Sequence, residues 1–385
     1  MEDQAHEGMA PGGRRPDLIR RWMGPAMVLF LLLAVVAGGF LAVQRYVGQP
    51  GPLPPGEARI VEIPPGTGLR AIRGLLAREG IVRDDARFEA SAILLGVRSR
   101  LKAGEYLFRG PISPRELFRD LSEGRVHLRR LTVPEGATIR DVAGLLQAQG
   151  WGGESVEDFA RDPLLVASEL GFAASSLEGY LFPDTYLFPK RTPAEKIVRA
   201  MTARFRQVFS EVCKDTETQG IRFDCRLGGK AEGAAGTHAT PIVVPAHGIV
   251  ILASIVERES AQAEERPLVA RVFLNRLRLG MKLQADPTVL YGLGDPDRAL
   301  TRDDLERPTP YNTYVHPGLP AGPIGNPGRL ALQAVFDAPP GDWLYFVLQG
   351  DGRHSFSTTL AEHNRAVGRY RQAQREEKNR EAVSN

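Results

Sequence analysis

Cysteine is scarce in this chain: Cys213 and Cys225 are the two present in 385 residues. That number cannot build a disulfide-dense scaffold, and no histidine stands near either at metal-ligand spacing, which argues against a zinc site. A Walker loop and a dinucleotide fingerprint are also absent, and Ser254 does not sit in a G-x-S-x-G elbow. His238, His247, His316, His354 and His363 show no H-E-x-x-H spacing. These gaps count against nucleotide-driven, serine-hydrolase and zinc-peptidase chemistry, and no cofactor or metal is expected. Charge of one sign is lacking too, since 49 Lys and Arg against 46 Asp and Glu leave a net +3. Mild basicity suits an anionic polymer or a membrane surface. No nucleic-acid-binding signature accompanies it, so nucleic acid is not expected as a partner.

What is present begins with length. The 385 residues suffice for two or three domains, and 41 Gly with 29 Pro imply many turns. Between Arg21 and Arg45 the chain carries no charge, and Met27 to Val43 is densely apolar. About 20 such residues span a bilayer as a helix. A cleaved signal peptide would have a shorter apolar core and a small-residue exit, and neither is found here. Arg14, Arg15, Arg20 and Arg21 precede the run, which predicts a cytoplasmic N-terminus and an external bulk.

The expected organisation is a cytoplasmic tail over 1–22, a transmembrane helix over 23–45 and a Pro/Gly linker over 46–58 that holds the rest off the lipid. Two globular parts follow at 59–130 and 131–375, then a polar tail at 376–385. A repeat marks the start of both parts. Val61-Glu-Ile-Pro-Pro-Gly-Thr-Gly-Leu-Arg-Ala-Ile-Arg-Gly-Leu-Leu76 recurs, ungapped and 70 residues on, as Leu131-Thr-Val-Pro-Glu-Gly-Ala-Thr-Ile-Arg-Asp-Val-Ala-Gly-Leu-Leu146. Each copy reads as a strand, a Pro-x-Gly turn and a helix. Ser113 and Pro114 open a further helix as N-cap and first residue, and Gly280 closes another. Asp286 before Pro287 reads as an N-cap, and Thr359 with Glu362 as a capping box. Strands and helices mix without strict alternation, so the class is α+β. Strand–turn–helix units of the first part resemble the LysM glycan-binding module; a packing domain without ligand is the other reading. Cys213 and Cys225, in a polar insertion, are read either as a local disulfide or as two free thiols.

Chemistry points to Glu259. The stretch His247 to Ser260 reads as a helix, and at 100° per residue Ile249, Leu252, Ile255, Val256 and Ala263 share one face with Glu259. Glu257 points the other way. A carboxyl among apolar neighbours holds its proton near neutral pH and can hand it to a leaving oxygen. Its bland alternative is a structural ion pair with Arg271, Arg276 or Arg278. Gln284 and Asp286 emerge just after a glycine, and the Pro-rich segment 308–328 carries Tyr311, Asn312, Tyr314 and Asn326. Aromatic faces and amides suit a sugar, although a rigid covering loop would look the same. His354 is either substrate-facing or a strand-end structural residue.

Several motifs in register carry a resemblance: Ala253-Ser-Ile-Val-Glu-Arg-Glu-Ser260, Val272-Phe-Leu-Asn-Arg-Leu277, Gly280-Met-Lys-Leu-Gln-Ala-Asp-Pro-Thr-Val289 and Tyr311-Asn-Thr-Tyr314. Leu177-Glu-Gly-Tyr-Leu-Phe-Pro-Asp-Thr185, Gly318-Leu-Pro-Ala-Gly-Pro-Ile324 and Tyr345-Phe-Val347 extend it. Together they resemble the endolytic murein transglycosylases, the YceG-like family, from about Arg59 to Tyr370. The Cys-bearing insertion and the Arg/Gly-rich N-terminal tail depart from that pattern. The resemblance implies non-hydrolytic cleavage of the MurNAc–GlcNAc β-1,4 bond in nascent peptidoglycan, leaving 1,6-anhydroMurNAc ends and terminating glycan elongation. It implies an inner-membrane protein with a periplasmic catalytic domain, glycan strands as substrate and peptidoglycan synthases as neighbours. It makes Glu259 the catalytic acid, with Gln284, Asp286, Tyr311, Asn312 and Tyr314 as candidates for holding sugar. Two rivals remain: a hydrolytic muramidase with Asp286 or Glu178 activating water, and a membrane-anchored glycan-binding adaptor without turnover.

Overall fold

The computed structural model describes residues 17–227, 241–260, 262–295, 298–349 and 352–384. The chain before residue 17 with Arg14 and Arg15, His238, the Gly350-Asp351 turn and Asn385 lie outside them. The fold is mixed α+β, and it divides into two units between Leu128 and Arg129.

The first unit opens with α1 (Asp17–Val47), which holds an 18-residue window of mean hydropathy 2.8 within Met23–Val47. Length and composition fit a membrane anchor or a signal segment, and its large apolar side chains from Met23 to Leu41 are exposed. β1 (Ala58–Ile63), α2 (Leu69–Arg78), α3 (Arg87–Leu94), β2 (Gly104–Arg109) and α4 (Pro114–Glu123) follow. β1 and β2 pair antiparallel from Ala58 opposite Arg109 to Ile63 opposite Gly104. Period-two alternation turns Val61, Ile63, Tyr106 and Phe108 inward, where they meet Leu76, Phe88, Leu117 and Phe118. Ser113 caps α4 reciprocally with Glu116, with Pro114 as its first residue, as the sequence indicates.

The linker reading needs correction. Tyr46, Val47 and Leu53 are buried, and the Gly51 amide donates to the Ile112 carbonyl at 2.9 Å. A side chain at Gly51 would collide with the Ile81 carbonyl, 2.3 Å from an added Cβ. Proline and glycine serve here to fit the chain tightly against the unit, not to space it away.

The second unit contains β3 (Leu128–Thr132), α5 (Ile139–Ala148), α6 (Gly153–Arg161), α7 (Pro163–Leu170), β4 (Thr185–Pro189) and α8 (Ala194–Val212). Next come β5 (Glu217–Thr218), β6 (Ile221–Asp224), β7 (Ile242–Pro245), α9 (Ala246–Glu259), α10 (Arg266–Arg278), α11 (Asp286–Gly292) and α12 (Arg302–Glu306). The unit closes with α13 (Arg329–Phe336), β8 (Tyr345–Leu348), β9 (His354–Ser357) and α14 (Leu360–Ser384). β3 pairs with β4; β6 lies between antiparallel β5 and parallel β7; β8 and β9 form the antiparallel hairpin. Thr359 and Glu362 form the expected capping box, and α14 continues through the segment read as a tail.

Both repeat copies adopt the same turn: Gly66 and Gly136 take φ of +78° and +75°, a region open to glycine at little cost. They differ at the helix start. Thr138 and Asp141 cap α5, whereas Gly68 leaves α2 without a side-chain cap.

Cys213 and Cys225 form a disulfide across 12 residues, resolving the open alternative. Replacing both by serine is expected to lower the unfolding free energy by about 2–3 kcal/mol, the loop-closure entropy of that separation. An unchanged midpoint in a denaturant titration would refute this.

At the centre lies α9, apolar almost all round, packed against α10 and α13. A helix hydrophobic on every face belongs in a core.

Candidate active site

Glu259 is the last residue of α9. The Ser260 amide still bonds to the Val256 carbonyl, but Ser260 itself is extended, and Arg266 Nε donates to its carbonyl at 3.4 Å. Ala263 therefore leaves the helical face the periodicity assigned it; the helix stops before reaching it. Being terminal suits an acid meant to stay protonated, since a helix C-terminus carries negative partial charge. Burial first, then the charge of Asp286, pushes the Glu259 carboxyl up to about 8, with Arg276 acting weakly the other way. Part of the residue nonetheless remains accessible to solvent. Among the described residues no hydrogen bond or ion pair engages its carboxyl.

The three arginines that could have locked it do not. Arg271 donates to the Pro339 and Ala338 carbonyls at 2.7 and 2.6 Å. Arg276 donates to the Leu344 and Leu283 carbonyls, at 2.7 and 2.6 Å, and Arg278 is exposed. The locked acid is Glu257 instead. It pairs with Arg266 at 2.5 Å and accepts from the Gly328 amide at 2.9 Å, its side chain only 4% accessible. Two carboxyls in one helical turn thus have opposite roles, one structural and one available.

Around Glu259 the segment 281–288 is set by backbone geometry. Gln284 holds φ at +50°, uncommon for a residue with a Cβ and worth roughly 1 kcal/mol or more of strain. Its amide donates to the Thr313 carbonyl, the Ala285 amide donates to Thr313 Oγ1, and Thr288 Oγ1 lies 2.9 Å from the same hydroxyl. Thr313 therefore ties two loops together. Asp286 is the first residue of α11, with Ala285 at the cap position, one residue earlier than its sequence suggests. Its side chain is exposed and accepts from Tyr314 Oη at 2.6 Å. Burial and then Asp286 raise the proton affinity of the Tyr314 phenol, which keeps it a donor.

Arg276, weighed in the sequence as an ion-pair partner of this acid, has two neighbours that the sequence did not group with it. The Arg276 guanidinium lies 5.2 Å over the Tyr345 ring, and His363 stacks on that ring at 5.3 Å, its Nδ1 buried and without a hydrogen bond among the described residues. They come from α10, β8 and α14, elements far apart in the chain, so no local pattern could group them.

Tyr311 and Asn312 are placed elsewhere. Asn312 is fully buried; Nδ2 donates to the carbonyls of Asp304, Leu305 and Arg307, and Oδ1 accepts from the Tyr314 amide. Its polar atoms shape the loop and leave nothing for a ligand. Tyr311 packs edge-on to Tyr291 at 4.9 Å, beside Glu178 rather than Glu259. Burial lifts Glu178 to about 7; it accepts from the Ile139 amide at the start of α5 and from Tyr291 Oη at 2.9 Å. Asn326 donates to Glu178 and to the Ala137 carbonyl. His354 Nδ1 meets Glu265 Oε2 at 2.7 Å, and Ser254 Oγ bridges Ile251 and Ile324 within the core.

Glu259, Asp286 and Tyr314 thus form one cluster: a largely buried acid that holds its proton, an exposed carboxylate and the phenol that orients it. Such a set can donate a proton to a leaving oxygen while holding negative charge close to a cationic centre.

A model of the YceG-like family matches residues 61–369. A Bacillus subtilis (strain 168) protein named endolytic murein transglycosylase is 29% identical over 329 residues, covering 80% of this chain and 84% of its own length. A protein of the same name from Streptococcus pneumoniae serotype 2 (strain D39) is 27% identical over 376 residues. That match covers 89% of this chain but 64% of the pneumococcal protein, less than two thirds of its length. A solved structure of a yceG-like protein from Listeria monocytogenes is 30% identical, covering 80% of this chain and 99% of that one, with a TM-score of 0.48.

Proposed function

The chain belongs to the YceG-like family, and from that premise we propose that it is an endolytic peptidoglycan lytic transglycosylase with Glu259 as its acid. The observation that carries the reading is the state of Glu259, an acid raised to about 8 by burial, without an ion pair among the described residues and with part of the residue accessible. Glu259 protonates the glycosidic oxygen between MurNAc and GlcNAc as the C1–O bond breaks. The MurNAc C6 hydroxyl then closes onto C1, and its proton passes to the Glu259 carboxylate. The acid ends as it began, water is not consumed, and one product carries a 1,6-anhydro ring. Because the nucleophile belongs to the substrate, no second carboxylate is needed to activate water. Asp286, oriented by Tyr314, supplies negative charge to the sugar cation, and exposed Gln284 is a contact for its hydroxyls.

Mass spectrometry of digested glycan is the test. Anhydro ends support the lyase; reducing ends would move the assignment to a muramidase. Turnover should also fall above about pH 8, where Glu259 loses its proton. Asp286→Asn removes a charge that raises the Glu259 pKa, so the alkaline limb should shift to lower pH. An unmoved limb would remove Asp286 from the site.

The first unit, with strand–helix–helix–strand order, is proposed as a LysM-like holder of the same strands. α1 is proposed as a retained inner-membrane anchor with its N-terminus in the cytoplasm and both units outside.

A further inference from the structure

The junction between α1 and the first unit is rigid and basic. The dense apolar run ends at Val43 and the helix at Val47, four residues and about 6 Å farther on. That is roughly the thickness of one headgroup layer, since a core of about 30 Å grows to about 40–45 Å with both interfaces. Tyr46 and Val47, within this interval, are already buried in the unit. Arg87 covers the Tyr46 ring at 4.9 Å, and α1 packs against α3 and α4. The Gly51 amide bond to Ile112 and buried Leu53 remove any slack. If α1 spans the membrane, the face of the unit around Tyr46 has nowhere to sit but among the lipid headgroups.

That face is cationic. Arg83 lines a small cleft with Tyr46, Gln49, Pro50 and Ile112, and Arg45 precedes Tyr46 in the last turn of α1. The nearby acids are held by other arginines: Asp85 pairs with Arg87 at 2.9 Å, and Asp84 and Glu89 share Arg73 at 2.9 and 2.8 Å. The side chains of Arg45 and Arg83 are exposed and make no hydrogen bond or ion pair among the described residues.

We propose that Arg45 and Arg83 form a collar that binds the phosphate groups of anionic phospholipids and fixes the first unit against the membrane surface. The collar rests on the anchor reading of α1 and adds to it a lipid preference and a fixed orientation. Tyr46, buried beneath the Arg87 guanidinium, pins the end of α1 to the unit between the two arginines. Each arginine near an anionic surface contributes roughly fivefold in affinity, and the pair roughly twentyfold or more. Raised salt weakens the interaction, because both groups stay exposed.

Native mass spectrometry of the full-length chain in detergent, titrated separately with phosphatidylglycerol and phosphatidylcholine, tests the proposal. The expected result is preferential retention of phosphatidylglycerol by about tenfold or more, lost in the Arg45→Gln/Arg83→Gln double variant. Both side chains are exposed, so that variant should fold like the parent, and an unchanged thermal midpoint checks it. Equal retention of the two lipids, or a preference that survives the double variant, overturns the collar. The intact mass of protein recovered from membranes separates this from failure of the anchor reading, because a cleaved product would lack the residues of α1.

Discussion

Glu259→Gln is expected to cut production of anhydro-ended glycan by at least about a thousandfold, with fold and glycan binding retained. In the proposed mechanism a single carboxyl serves as both acid and base, so its amide can perform neither step. The amide matches the carboxyl in shape, and no hydrogen bond or ion pair to Glu259 is broken by the change. Stability provides a second readout with a definite sign. The folded-state pKa is raised, from 4.5 to about 8. Stability contributed by this group is therefore fully present below about pH 4.5 and is lost as pH rises through about 8. The glutamine variant has no proton to lose, so its thermal midpoint should exceed that of the parent above pH 8. Equal activity in variant and parent would end the enzymatic assignment and favour the glycan-binding adaptor. A parent-like fall in stability with pH would mean that another group, such as Glu178 at about 7, dominates the titration.

Gly179→Ala is expected to destabilise the second unit by about 3 kcal/mol. Gly179 is buried with φ at +87°, where a Cβ alone costs roughly 1–2 kcal/mol. The added methyl would also lie 2.6 Å from Pro323 and 2.8 Å from Val250 Cγ1. A proline ring and a fully buried valine on α9 cannot swing aside, so overpacking contributes a further roughly 1–3 kcal/mol. Denaturant titration measures the loss; a change below about 1 kcal/mol would mean that the 177–182 turn relaxes more readily than its contacts imply.

How much of this could be read in the sequence depends on the range of the interaction. Local patterns performed well: the turn of the 70-residue repeat and the Ser113 and Thr359 caps are set by residues within one turn of each other. The helix bearing Glu259 was legible from its apolar spacing over His247 to Ser260, but the departure of Ala263 from its face was not, because nothing in the residues past Glu259 forbids another turn. Asn312 shows another barrier. An amide satisfies a sugar hydroxyl or three backbone carbonyls equally well, and only the fold decides which is near. The packing of 46–58 was hidden for a similar reason: Pro and Gly permit a free spacer and a tight docking alike. Long-range company was the least visible. Tyr345 and His363 reach the neighbourhood of Arg276 through pairings that composition does not encode.

Glu257 has a meaning beyond its own bonds. Its partner Arg266 also reaches the Ser260 carbonyl, one residue past Glu259, so a guanidinium stands guard at the mouth of the helix. Occupied by Glu257, that cation is not free to quench the neighbouring acid. The sacrificial carboxylate thus acts as a decoy, and the proton two residues away keeps its owner.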